Sequence, residues 1–378
     1  MDFIDLKKQY QVIKPSVQKR INDIFDRASY IMGKEIDELE ATLAAYTGAP
    51  HCLTCSSGTD ALLLPLMAMG VGPGDAVFTT TFTFIATAEV ISLLGATPIF
   101  VDIDKNTYNM DPAKLRQAII AVQNGSAIAS GIGRSLRPRA IIPVDLFGLC
   151  ADYEAIDAIA REFNLFVIED AAQSFGAISN GKKAGSFGTI AATSFFPAKP
   201  LGCYGDGGAV FCRDESLLAI LKSLRVHGQG DDKYENVRIG INGRLDTIQA
   251  AVLLAKMEIF EAEIVRRQNI AAAYSDALKN SVVAPHIPAN NRSAWAQYSV
   301  QTDDRDQVLA GLKARSVPTA VYYPKPLHLQ KAFLSLGYEP GQFPIAEEIA
   351  AKIFSLPMHP YLDEHTQEQI IKAVITST

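Results

Sequence analysis

Hydrophobic and polar positions follow two periods along this chain. Ile36, Leu39, Leu43 and Ala44 recur at helical spacing with acidic residues between them, and residues 15–48 read as helices. Residues 51–55 form a short apolar strand, and Ser56-Ser57-Gly58-Thr59 turns the chain into a helix that starts at Asp60. Strand patterns at 76–80 and 97–101 flank a helical stretch at 82–94, a βαβ arrangement that implies a parallel sheet. Residues 111–122 read as a helix capped by Asp111 and Pro112. A helix at 153–162 lies between strands at 140–144 and 166–168, and the second strand runs out into Glu169-Asp170. The Gly/Ser/Arg-rich stretch 123–138 reads as an exposed, mobile loop. Residues 246–277 carry one long helical pattern. Strands at 298–301 and 321–323 and helices at 305–314, 345–353 and 367–376 follow.

This pattern predicts an α/β fold, a mainly parallel sheet flanked by helices. It divides into a large domain at 1–250 that includes the N-terminal helices, a bridging helix at 251–280 and a smaller C-terminal α/β domain at 281–378. A chain of 378 residues has ample core for this. Hydrophobic residues make up 48% and charged residues 20%, the balance of a soluble globular protein. Lys+Arg 35 against Asp+Glu 41 leaves a net charge of −6, which gives no broad basic surface for nucleic acid. The most apolar stretch, 86–101, is interrupted by Glu89, Gly95 and Pro98, so no membrane span is expected. The first five residues carry acid where a signal peptide carries base, and a cytoplasmic location is expected. Five cysteines in a chain this long do not make a disulfide scaffold.

Several chemistries are excluded by spacing. Cys52 and Cys55 form a C-x2-C pair without a second pair, and no H-E-x-x-H occurs, so no metal is expected. Residues 176–183 approach the phosphate-binding G-x4-G-K-[ST] pattern, but the last position is Lys183 and the magnesium-binding hydroxyl is missing. No G-x-S-x-G and no dinucleotide fingerprint after an early strand is present.

What remains centres on Lys199, set between Phe195-Phe196 and the glycines of Gly202, Gly205, Gly207 and Gly208. A desolvated lysine amine loses part of its proton affinity and becomes a nucleophile near neutral pH. The Ser57-Gly58-Thr59 turn presents backbone N–H groups at a helix N-terminus, an anion site, although simple N-capping explains the same residues. Asp170 at a strand end can hold a pyridinium proton, or cap the next helix. Ser194 offers a hydroxyl to phosphate, or to the backbone.

Taken in order, Ser57-Gly58-Thr59-Asp60-Ala61-Leu62, Glu169-Asp170-Ala171-Ala172-Gln173-Ser174, Ser194-Phe195-Phe196-Pro197 leading to Lys199, Gly205-Asp206-Gly207-Gly208, Gly240-Ile241-Asn242-Gly243-Arg244 and Tyr323-Pro324 with Pro326-Leu327-His328 resemble the DegT-type sugar aminotransferases. These are fold-type-I pyridoxal 5'-phosphate enzymes. The resemblance implies that Lys199 is the Schiff-base lysine and the general base. It implies that Asp170 faces the pyridine nitrogen, Gln173 lies near the ring hydroxyl and Phe84 stacks on the ring. Gly58, Thr59 and Ser194 would hold the phosphate. Asn242 would reach the phosphate of a neighbouring subunit, which makes a homodimer with shared sites. Read alone, Phe84 suits the core and Asn242 a turn.

The implied reaction moves an amino group from L-glutamate, leaving 2-oxoglutarate, to a nucleotide-linked keto sugar. The form of the lysine loop and Trp295-Ala296-Gln297-Tyr298 look closest to enzymes that act on UDP-2-acetamido-2-deoxy-3-oxo-D-glucuronate in surface polysaccharide (O-antigen, lipopolysaccharide) synthesis. Arg244, Tyr322, Tyr323 and His328 are the candidate sugar-nucleotide contacts, each with a packing or ion-pair role as its alternative. The rival readings are a 4-keto dTDP- or UDP-sugar substrate, or a non-catalytic regulator that binds the same ligands. Dehydratase relatives place a histidine where Lys199 stands, which argues against that chemistry.

Overall fold

The computed structural model describes residues 1–126, 130–132, 135–232 and 234–378. Helices α1 (Leu6–Arg27) and α2 (Lys34–Thr47) lead into β1 (His51–Cys55), α3 (Gly58–Ala68), β2 (Asp75–Thr80), α4 (Ala86–Leu93), β3 (Thr97–Val101) and α5 (Pro112–Gln123). There follow β4 (Arg137–Ile142), α6 (Tyr153–Phe163), β5 (Phe166–Asp170), the short β6 (Ile178–Ser179) and β7 (Lys182–Lys183), β8 (Ile190–Ser194), β9 (Gly208–Cys212) and α7 (Glu215–Arg225). The chain ends with α8 (Thr247–Met257), α9 (Phe260–Leu278), β10 (Asn291–Arg292), β11 (Tyr298–Gln301), α10 (Arg305–Ala314), α11 (Pro344–Lys352), β12 (Ile353–Leu356) and α12 (Glu364–Ser377).

Seven strands form the central sheet in the order β1-β9-β8-β5-β4-β2-β3. Strand β9 alone runs against its neighbours β1 and β8, so the sheet is mainly parallel. Each residue of β2 and β9 is buried, as a sheet covered on both faces requires. Alternate residues feed two cores. Phe78, Ile99, Ile141 and Phe211 point to one face, and Val77, Ala140, Ile142 and Val210 to the other. A third core joins Ile270, Tyr274 and Leu278 of α9 to the β11–β12 pair, α10 and α12. Helix α1 starts where Asp5 accepts the Lys8 N–H, and its Ile13 and Val17 pack on Val252 and Ala255 of α8.

Four expectations change. The long pattern at 246–277 is two helices, because the chain bends at Glu258-Ile259 and sets the Phe260 ring against Tyr46 and Phe175. Residues 321–323 do not form a strand. Ala320 makes one bridge to Ser355, and the chain then leaves the sheet through a cis peptide between Tyr322 and Tyr323. The loop at 123–138 is not wholly exposed. Ser130 and Gly131 donate to the carbonyls of Gly337 and Leu336, and Ile132 is buried, while residues 127–129 and 133–134 lie outside the described residues. The helix expected at 82–94 begins at Ala86, which leaves Phe84 in the turn before it.

Candidate active site

Parallel strands deliver their carboxyl ends to one edge of the sheet, and ligand sites collect there. Asp170 ends β5 and Ser194 ends β8, paired in register through Asp170 and Ala192. The turn after β1 starts α3 on the same edge. Ser57 caps it by accepting the Asp60 N–H, so the Gly58 and Thr59 N–H groups, at positions without intrahelical acceptors, stay free for an anion. Gly58 is required by space. A Cβ there would lie 2.5 Å from Ser194 Cβ and 2.8 Å from its Oγ. A side chain at Gly208 would likewise meet the Ser57 carbonyl oxygen at 2.3 Å. Gly58, Thr59 and Ser194 are therefore brought together.

Lys199 sits on a loop folded back on Phe195. The Phe195 N–H donates to the Gly207 carbonyl and the Cys203 N–H to the Phe195 carbonyl, both at 2.8 Å. Burial lowers the Lys199 pKa to about 8, opposed by the attraction of Asp170. Asp170 is buried and its carboxyl pKa is raised by that burial. Its Oδ2 accepts the Thr87 hydroxyl at 2.8 Å and its Oδ1 the Ala172 N–H at 3.2 Å. Among the described residues no cation forms a salt bridge with it, although the Lys199 charge acts on it.

Gln173 is fixed at both ends. Its Oε1 accepts the Phe147 N–H at 2.7 Å, and its Nε2 donates to the Tyr323 hydroxyl at 3.2 Å. Burial pushes the Tyr323 phenol pKa up, so it stays neutral. Phe84 is 56% exposed, with its ring centroid 6.5 Å from that of Tyr323. Tyr322 is half-buried beside Tyr323.

The other candidates lie apart. His328 is fully buried. Its ring nitrogens meet Thr81 Oγ1 at 2.7 Å and Glu347 Oε1 at 3.2 Å, so it anchors its own turn and has no free edge for a ligand. Arg244 lines a cavity of about 660 Å³ with His227, Asn236 and Arg238, one that Lys199, Asp170 and Gln173 do not border. Its Nε is buried without a hydrogen-bond partner among the described residues. Asn242 is exposed on the same segment, bridged to Val226, and the adjacent Gly243 carbonyl accepts the Ser56 N–H. Sequence reasoning missed Thr87 and Phe147. Thr87 stands four residues after Thr83 in the first turn of α4, a position that reads as helix filler.

A buried lysine amine with a lowered pKa, a buried carboxylate that acts on it and a helix N-terminus without room for a side chain suit one cofactor. The model of the DegT/DnrJ/EryC1/StrS aminotransferase family matches residues 11–375. The chain belongs to that family. It is similar to the UDP-2-acetamido-2-deoxy-3-oxo-D-glucuronate aminotransferase of Pseudomonas aeruginosa, 49% identical over 100% of both chains. It is also similar to a pleiotropic regulatory protein of Geobacillus stearothermophilus, 42% identical over 98% of this chain and 96% of that one. Among solved structures, a DegT/DnrJ/EryC1/StrS aminotransferase from Brucella abortus superposes with a TM-score of 0.95 at 50% identity, covering 99% of this chain and 98% of that one. A second, NtdA from Bacillus subtilis, holds the cofactor in its pyridoxamine form and superposes with a TM-score of 0.87 at 26% identity, covering 99% of this chain and 83% of that one. The protein is thus a sugar aminotransferase, and its cofactor is pyridoxal phosphate. Among the described residues no helix is long and apolar enough to cross a membrane, and no group of side chains suits a metal ion.

Proposed function

We propose that this aminotransferase moves the amino group of L-glutamate to C3 of UDP-2-acetamido-2-deoxy-3-oxo-D-glucuronate, in the supply of a diamino uronic acid for surface polysaccharide. The observation that carries this reading is the 49% identity, without truncation on either side, to the enzyme of that name. When bound, pyridoxal phosphate supplies an aldehyde for amines and a protonated aromatic ring that accepts an electron pair.

The chain's own residues supply the rest. Lys199 would hold the cofactor covalently through its unprotonated amine, and that amine, when free, would take and return the proton at the substrate carbon. Asp170 keeps the ring nitrogen protonated, with Thr87 fixing the carboxylate's orientation. Gln173 would meet the ring's hydroxyl edge and Phe84 would cover its face. The free N–H groups at Gly58 and Thr59, with the Ser194 hydroxyl, bind the phosphate. Tyr322 and Tyr323 are the proposed sugar-nucleotide contacts, and Arg244, which lies apart from Lys199 of its own chain, would meet the uronate carboxylate in the partner's site.

The working unit proposed is a homodimer with shared sites, Asn242 serving the partner's phosphate. Support comes from Phe84, Phe196, Val237 and Ile239, all large apolar side chains left exposed on the single chain. The five unpaired, buried cysteines fit the reducing cytoplasm, where we place the enzyme.

The test is a single half-reaction. Enzyme preloaded with amino groups from L-glutamate is offered 3-keto and 4-keto sugars linked to UDP or dTDP, and the aminated sugar is measured. The 3-keto uronate is expected to react fastest. A 4-keto sugar reacting faster would overturn the substrate assignment. Arg244→Ala is expected to slow the uronate more than an uncharged keto sugar, and equal losses would remove the carboxylate role. The regulatory reading, favoured by the name of the 42% identical relative, predicts retained cofactor but no 2-oxoglutarate from glutamate.

A further inference from the structure

Strand β1 closes one end of the central sheet, so its outer backbone edge meets no further strand. The turn that follows it, Ser56-Ser57-Gly58-Thr59, is fitted closely on its inner side. There Gly58 faces Ser194, and Gly208 faces the Ser57 carbonyl, neither with room for a Cβ. Contacts on one side leave a turn free to pivot, so whatever covers the outer edge of β1 decides where the Gly58 and Thr59 N–H groups point.

Two side chains take the place of the missing strand. Arg225 of α7 is buried, and its Nη1 donates to the Thr54 carbonyl at 2.9 Å and to Glu40 Oε1 at 2.7 Å. The same oxygen of Glu40, from α2, accepts the Thr54 N–H at 2.8 Å and the Thr54 hydroxyl at 2.9 Å. Both outward backbone groups of Thr54 are thereby met, and the two charges pair with each other. An apolar pair of similar volume would fill the space as well. It could not serve a backbone donor and a backbone acceptor side by side.

The main chain of Arg225 extends the brace. Its carbonyl accepts the Gly243 N–H at 2.9 Å, and the Gly243 carbonyl accepts the Ser56 N–H at 3.0 Å. Thr54, Arg225, Gly243 and Ser56 thus close a ring of contacts around the end of β1. The next residue, Ser57, caps α3 and begins the anion-binding turn. Neither Arg225 nor Glu40 takes part in the amino transfer itself.

We propose that Arg225, held by Glu40, is a positioning residue for the phosphate turn. It fixes the end of β1, and through it the direction in which the Gly58 and Thr59 N–H groups are presented. The proposal rests on the reading that Gly58, Thr59 and Ser194 hold the cofactor phosphate.

Binding of pyridoxamine phosphate and of pyridoxamine to the cofactor-free full chain tests it. Neither compound carries an aldehyde, so neither links to Lys199, and the ratio of their dissociation constants reads the phosphate contacts alone. Arg225→Met keeps much of the packing and removes the donor. It is expected to lower the preference for the phosphorylated compound at least about fivefold. A smaller fall, which includes an equal loss for both compounds, overturns the positioning role. Ser194→Ala, measured beside it, checks the phosphate reading. If Ser194→Ala lowers the preference and Arg225→Met does not, the brace is refuted and the phosphate site stands. If neither lowers it, both are refuted. Should Arg225→Met strand the Glu40 carboxylate and fail to fold, Arg225→Met combined with Glu40→Gln removes that charge, and the same threshold decides.

Discussion

Lys199 and Asp170 act on each other's charge across the site, and their pKa directions state how. Burial disfavours the ammonium and brings Lys199 to about 8, while Asp170 pulls the other way. Only the neutral amine attacks an aldehyde, so capture of pyridoxal phosphate by the cofactor-free enzyme should accelerate as pH rises, with a midpoint near 8, and level off above it. Asp170→Asn removes the attraction that favours the ammonium. The midpoint for capture should then fall below that of wild type, while turnover drops about ten- to a hundredfold through loss of the charged partner of the ring nitrogen. Stopped-flow absorbance reads the first effect and 2-oxoglutarate release the second. Lys199→Ala should lose turnover by at least about 10²–10⁴-fold and yield no borohydride-stable adduct at position 199.

At the scale of elements, the turn carrying Tyr323 is held to the sheet by a side chain that reads from sequence as a ligand contact. The Leu327 N–H donates to the Thr81 carbonyl at 2.7 Å, and His328 bridges Thr81 to Glu347 at the start of α11. His328→Ala should destabilise the fold by about 1–3 kcal/mol, the cost of stranding buried partners, and leave the ratio of rates between sugars unchanged. Thermal unfolding and the sugar panel separate the two. Burial holds the His328 imidazole below its usual pKa, against the pull of Glu347. Its contribution is therefore complete above the unfolded value of about 6.5 and is lost as pH falls beneath it. A flat wild-type unfolding temperature between pH 7 and 5 would contradict this. The same turn marks what the sequence could and could not convey. Strands β2, β3 and β5 were legible because continuous apolar runs between helices leave little choice of fold. Lys199, Asp170 and the Gly58 cradle were legible because their chemistry is local. The fate of 321–323 was not, since apolar and aromatic residues suit a strand equally well until Gln173, 150 positions earlier, claims the Tyr323 hydroxyl. The break at Glu258-Ile259 was hidden for a similar reason. Only the tertiary position of Tyr46 and Phe175 draws Phe260 out of register.

At the scale of the whole molecule, the single chain leaves Phe84, Val237 and Ile239 exposed, the last with 88% of its surface free. The proposed homodimer, in which Asn242 serves the opposite site, has a consequence that no single-chain site shares. Lys199→Ala and Asn242→Asp are each expected to be inactive as pure dimers, the first without its nucleophile and the second with a carboxylate repelling the cofactor phosphate. Subunits of the two variants, unfolded together and refolded in equal amounts, form mixed dimers in about half the population. If Lys199 of one subunit works with Asn242 of its partner, one site of each mixed dimer collects both defects and the other neither. Activity should then return to about a quarter of wild type. If Asn242 served its own chain, each mixed dimer would contain two defective sites and activity would stay near zero. Turnover of the refolded mixture, compared with each variant refolded alone, separates these arrangements even where the sugar substrate is assigned wrongly.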